Sequence, residues 1–227
     1  MNTKKMLNVS LFALLVTVAI SCGPDNYEKP SSQFSGSVVY NNQPLGVRGS
    51  GGDVYLQFWQ AGYELNTSFN VYVAQDGSYS ALLHDGSYKL VMNANRGPWV
   101  NSPDTVYVEV KGKTVKDYPV TPYYTIGKVD YRLSGTTLTA SFDVTQVNAS
   151  RNIEYVALMV NDKQFVDIDG NSRRNWVQNM DPSAGHFEMV LDISDQANTY
   201  AHLYARVGVK IAGTDHAIYD TNVEKIK

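Results

Sequence analysis

Cys22 is the single cysteine among 227 residues, and what precedes it gives it a chemistry. Lys4 and Lys5 form a basic head, and Leu7 to Ile20 is an apolar run too short to span a bilayer comfortably, diluted by Ser10 and Thr17. Ala19 and Ser21 supply small residues at a cut site. This is the layout of an export signal and not of a fold element. Cysteine at the cut makes it a lipoprotein signal: the thiol takes a diacylglyceryl group and becomes the new N-terminus. An ordinary secretory signal with a chance cysteine is the plainer alternative. Once Cys22 is lipidated no thiol remains, which excludes disulfides, cysteine-ligated zinc and a cysteine nucleophile.

The other side chains suited to chemistry are aromatic. Trp59 falls on the strand face opposite Val54, Leu56 and Phe58, beside Tyr55. Trp99 lies in a polar loop, Asn93 to Asp104, and Trp176 follows Arg173-Arg174-Asn175. Sugar rings present apolar C–H faces that stack on such rings, with polar neighbours to hold the hydroxyls. Trp99, Trp176, Trp59 and Tyr55 are therefore the candidate ligand-binding residues, although a sandwich core and a domain seam also need large apolar side chains.

Classical catalytic patterns are missing. His84, His186, His202 and His216 form no His-Glu-x-x-His arrangement, and no Gly-x-Ser-x-Gly elbow occurs. Asp and Glu are plentiful, but sequence cannot place two of them across a glycosidic bond. Asp167-x-Asp169-Gly170-Asn171 has some likeness to a calcium loop, yet the spacing is wrong for an EF-hand and the bidentate Glu is missing, so a hairpin turn is expected there. No catalytic residue, metal ligand or cofactor is implied, and the chain reads as a non-enzyme. A net charge of −3 without a basic run argues against nucleic acid.

The elements that must position these residues are strands. With 43% apolar and 18% charged residues the chain is globular, and its 16 Tyr and 17 Gly favour strands joined by tight turns. Gly23 to Ser32 is polar, carries two prolines and reads as a tether. Phe34 to Tyr40, Val54 to Trp59, Phe69 to Val73, Tyr79 to Leu83, Tyr88 to Met92, Val106 to Val110 and Val115 to Val120 are strand candidates, with Asp76-Gly77 and Asp85-Gly86 as turns. Gly46 to Asp53 lacks the Lys-Ser/Thr ending of a phosphate cradle. Val120-Thr121, flanked by Pro119 and Pro122, marks a domain boundary.

Beyond it, Val129 to Leu133, Leu138 to Val144, Phe187 to Ile193, Tyr200 to Ile211 and Ala217 to Lys225 read as further strands, with a short turn around Ser194 to Asn198. Ile153 to Val160 is almost wholly apolar, which suits a central strand buried on both faces. In the Tyr200 to Ile211 strand, Leu203, Ala205, Val207, Val209 and Ile211 share one face, and His202, Tyr204, Arg206 and Lys210 the other. About seven short strands predict an immunoglobulin-like or fibronectin-type sandwich. The fold class is all-β, two sandwiches in tandem, with residues 1–21 the signal, 22–32 the tether, 33–120 the first domain and 121–227 the second.

Ser35-Gly36-x-Val38, Pro44-Leu45, Asp76-Gly77-Ser78-Tyr79 and Asp85-Gly86-Ser87-Tyr88-x-Leu90 resemble the transthyretin-like, carboxypeptidase-regulatory-type domain, with Gly46 to Gly52 stretching a usually short link. That family is a seven-strand sandwich, usually an accessory module. Asp25 and Glu28 are similar to the acidic export tags of Bacteroidota surface lipoproteins, and Asp104-Thr105-Val106 to their O-glycosylation pattern, with Thr105 the acceptor. Taken whole, the lipobox, the Asp25-Asn26-Tyr27-Glu28 tether, the Val120-Thr121-Pro122-Tyr123 junction and the second sandwich resemble one uncharacterised lipoprotein family of Bacteroidota, often encoded in polysaccharide-utilisation loci. Glu28 departs mildly from that family, which usually has Asp there.

The resemblance implies an outer-membrane lipoprotein on the cell surface, held by its N-terminal lipid only. It also implies a non-catalytic binding or accessory role in glycan utilisation, with a glycan as ligand and importer components as partners. The alternative is a structural partner of an importer complex that binds no glycan itself.

Overall fold

The computed structural model describes residues 28–49, 54–62, 67–170, 174–180 and 182–227. Cys22 and the tether up to Tyr27 lie outside the described residues, as does the end of the glycine-rich link. Among the described residues no helix is long and apolar enough to cross a membrane. Residues Ser31–Lys227 form one compact unit.

The first half holds β1 (Ser32–Tyr40), β2 (Gln43–Pro44), β3 (Tyr55–Gln60), β4 (Ser68–Tyr72), β5 (Ser78–Leu83), β6 (Gly86–Met92), β7 (Thr105–Val110), β8 (Lys113–Val115) and β9 (Tyr118–Pro119). One sheet is built on β1, which pairs β2 and β5 antiparallel and β8 and β9 in parallel. The other has the order β4-β3-β6-β7. Alternation along the strands gives each sheet one apolar face, and the two faces close on each other. Phe34 of β1 meets Phe58 of β3 edge-on at 5.4 Å and stacks with Tyr79 of β5 at 6.1 Å.

Tight turns fix the register. Asn41 and Asn42 both adopt left-handed φ between β1 and β2, as a two-residue hairpin turn of the primed type requires. Gly77 needs its hydrogen for two reasons, a φ of +85° and a Leu45 carbonyl oxygen that would lie 2.4 Å from an added Cβ. The expected single strand from Val115 to Val120 is instead two short pieces, β8 and β9. Between them Asp117 turns its carboxylate to the Ser37 N–H, 2.9 Å away, and Lys116 donates its N–H to Ser35 O.

The second half holds β10 (Tyr124–Ile126), β11 (Asp130–Ser134), β12 (Thr137–Gln146), β13 (Ile153–Asn161), β14 (Asn175–Asn179), β15 (Gly185–Asp192), α1 (Ser194–Thr199), β16 (Tyr204–Ile211), β17 (Ala217–Tyr219) and β18 (Glu224–Lys225). In one sheet β12 pairs β10 and β11 on one edge and β15 on the other; the second runs β14-β13-β16-β17, with β18 also on β16. Three strand positions facing four is the fibronectin-type arrangement. The molecule is thus a tandem of two all-β sandwiches. Val156 to Val160 are all fully buried, so β13 is covered on both faces.

That second cover is a small cluster of Val166, Ile168 and Tyr219, folded back from the second half itself. Arg206 of β16, expected on an outward face, is fully buried. Its Nε donates to Asp220 O at 2.8 Å, Nη2 to Gln75 O at 2.7 Å, and Nη1 to Gln75 Oε1 at 3.2 Å and Val166 O at 3.4 Å. The Tyr219 ring lies beneath the guanidinium, 4.6 Å from its centroid to the central carbon. Burial lowers the Arg206 pKa to about 10, so the group remains charged at neutral pH while its donors are matched by oxygens.

Candidate functional site

The outer face of the β4-β3-β6-β7 sheet is the strongest candidate. Because side chains alternate, Tyr55, Gln57 and Trp59 of β3 point away from the core that takes Leu56 and Phe58. Trp59 is opposite Ser68 of β4 on one side and Lys89 of β6 on the other, and Lys89 is opposite Tyr107 of β7. Trp59, Lys89 and Tyr107 therefore make one row across three strands. The Lys89 ammonium lies over the Trp59 ring, 4.7 Å from its centroid. Tyr107 is 74% exposed.

A groove of about 210 Å³ runs between the two rings, lined by Trp59, Gln60, Ala61, Ser87, Lys89 and Tyr107. Polar groups fringe it: Gln57 faces Asn70, and Ser87 donates from its hydroxyl to Glu109. At the far end of the same face Tyr55 meets the edge of Tyr72 at 5.7 Å, and the Arg96 guanidinium lies over Tyr55 at 5.0 Å. Aromatic faces beside amides, hydroxyls and cations can stack a sugar and hold its hydroxyls. Tyr72, opposite Tyr55, is 56% exposed on this same face.

The four aromatic candidates do not gather at one place. Trp59 and Tyr55 share this face. Trp99 is only 3% exposed and bridges to Pro122 at the junction of the halves, with Gly97 packed so close that an added Cβ would fall 2.1 Å from the indole. Val100 N–H to Thr121 O and Tyr123 N–H to Pro98 O lock it there. A ring so placed offers no stacking surface to a ligand, and its Nε1 is buried without a partner. Trp176 is half-buried, meets Tyr155 edge-on at 6.4 Å and packs on the small core of Met159 and Val166. Tyr107 and Lys89 were not singled out in the sequence. The alternation of Val106, Val108 and Val110 puts Tyr107 on the opposite face, and that was the available signal.

The expected Asp169-Gly170 hairpin turn is instead part of a longer irregular connection between β13 and β14, with Val166 and Asp167 buried. Arg48 from the first half takes both carboxylates, at 2.5 Å to Asp169 and 3.6 Å to Asp167. A cation side chain stands where a calcium ion would need the same oxygens. Among the described residues no group of three or more acidic, histidine or cysteine side chains could hold a metal.

One constellation was not anticipated. His186 Nδ1 is 2.9 Å from Asp143 Oδ1 and its Nε2 is 3.4 Å from Ser141 Oγ. The order is that of nucleophile, base and orienter, but Ser141 sits mid-strand, paired to Asp130 and Glu188 on either side. Its neighbouring amides are spent on the ladder, and His186 and Asp143 are 61% and 71% exposed, so water screens the pair. A cavity of about 620 Å³ lies between the halves, lined by Gln43, Leu45, Thr125, Lys128 and Asp220 among others. Its one carboxylate, Asp220, already accepts from Tyr131 Oη at 3.0 Å and from Asn222 N–H.

The two halves match the two models of one family. Residues 32–121 match the N-terminal domain of DUF3823, described as a protein of unknown function, and residues 124–225 match its C-terminal domain. This chain belongs to the DUF3823 family. A DUF3823 structure from Parabacteroides merdae is 37% identical, covers 88% of this chain and all of its own, and superposes with a TM-score of 0.80. One from Bacteroides ovatus is 33% identical over 86% of this chain and 97% of its own, with a TM-score of 0.75. A candidate carbohydrate binding protein from Bacteroides uniformis shares the fold at 18% identity and a TM-score of 0.68, over 88% of this chain and all of its own. No curated protein matches.

Proposed function

We propose that this chain is a non-catalytic carbohydrate-binding accessory protein, tied through lipid on Cys22 to the outer membrane and facing the cell exterior. The observation that carries the binding role is the cross-strand row of Trp59, Lys89 and Tyr107, with Gln57 and Asn70 beside it. The Bacteroides uniformis relative by fold is consistent with this reading and does not carry it. The lipid anchor rests on the spacing of Lys4-Lys5, the apolar run and Cys22.

The structural-partner reading draws on a different surface, where Leu82 and Val115 stand 58% and 65% exposed on the β1 sheet. Passing the full chain, kept in detergent, over immobilised polysaccharides tests the proposal. Tyr107→Ala and Trp59→Ala are each expected to weaken retention roughly tenfold with an unchanged melting temperature for Tyr107→Ala, as for central aromatic anchors. Equal retention of variants and wild type would remove glycan binding and leave the structural partner, which co-purification from solubilised membranes would then identify.

A further inference from the structure

The order of groups in the row specifies more than sugar in general. Trp59 stands on β3 and Tyr107 on β7, with β6 between them, so the two backbone positions that carry the rings are two strand spacings apart, about 10 Å. One sugar ring cannot stack on both. The first and third rings of an extended chain can, and the second then lies over Lys89. The Lys89 ammonium rests on the Trp59 ring, held by the ring's negative face. A carboxylate above Lys89 would form a charge-assisted bond and draw the ammonium off the indole, freeing that ring for stacking. Arg96 adds a second cation on the same face, so among the described residues two cations stand there against one carboxylate, Glu109, which accepts from Ser87 and keeps its charge.

Resting on the binding role proposed above, we infer that this face takes an internal stretch of an acidic polysaccharide, run across the strands, with a uronate ring over Lys89 between Trp59 and Tyr107. Recognition is of a polymer segment, and its charge is read at the middle ring.

The test uses the full chain in detergent on immobilised polygalacturonate and alginate, on a carboxyl-reduced neutral copy of each, and on neutral glucan, xylan and mannan. The inference expects retention on an acidic polymer, about tenfold weaker binding to its reduced copy, and loss of that difference in Lys89→Gln. Soluble oligomers should compete from three rings upward. Equal binding to an acidic polymer and its reduced copy, retention on neutral polymers alone, or an unchanged preference in Lys89→Gln overturns the acidic ligand and leaves the binding role standing. Competition by single sugars overturns the extended chain. No retention on any polymer counts against the binding role itself.

Discussion

Asp220 shows how the burial of a single carboxyl ties stability to pH. Burial pushes its carboxyl above the usual carboxylate range, against the pull of the Asn222 N–H, the Tyr131 hydroxyl and the Arg206 charge. The folded protein therefore holds this proton more tightly than the unfolded chain. Its contribution favours folding at low pH and is lost as pH rises through the folded pKa, which lies above 3.8. Asp220→Asn removes the titration, so the stability of the variant relative to wild type should increase as pH rises from about 4 through the folded pKa. Urea midpoints across that range measure it, and parallel curves would contradict the assignment.

At the scale of elements, the controlling contact is the one between β16 and the Gln75 turn. Arg206→Met keeps the volume but leaves the carbonyls of Gln75 and Asp220 without their buried donor. The expected loss is about 3 kcal/mol, with the calorimetric trace changing from one transition toward two as the halves uncouple. The connection between β13 and β14 behaves oppositely to a metal loop. With Arg48 on Asp167 and Asp169, the melting temperature should be the same in calcium and in chelator.

These elements also show where the sequence was readable. The apolar run of β13 announced burial on both faces, and the alternation of β3 placed Trp59 and Tyr55 outward. Alternation says which residues share a face but not what covers it, so Arg206 read as outward. Its cover comes from Tyr219 and Val166 of its own half and from Gln75, across the domain boundary. Trp99 read as exposed because its neighbours in sequence are polar, whereas its fate was set by Pro122 and Gly97. The Trp59, Lys89 and Tyr107 row depends on strand register, which single-strand patterns do not fix.

At the scale of the whole molecule, the proposed protein is a tandem of two sandwiches with a lipid on Cys22 and a sugar-binding sheet face in the first half. The lipid is tested alone: Cys22→Ala should abolish palmitate labelling and release the protein from the membrane fraction, and labelling that persists would place the anchor elsewhere. The most direct test of the central claim is the affinity of the full chain for polysaccharide, measured beside the Trp59→Ala, Tyr107→Ala double variant. The account predicts clear binding by the wild type and near-complete loss in a double variant that still melts as one unit; undiminished binding by that variant would contradict it.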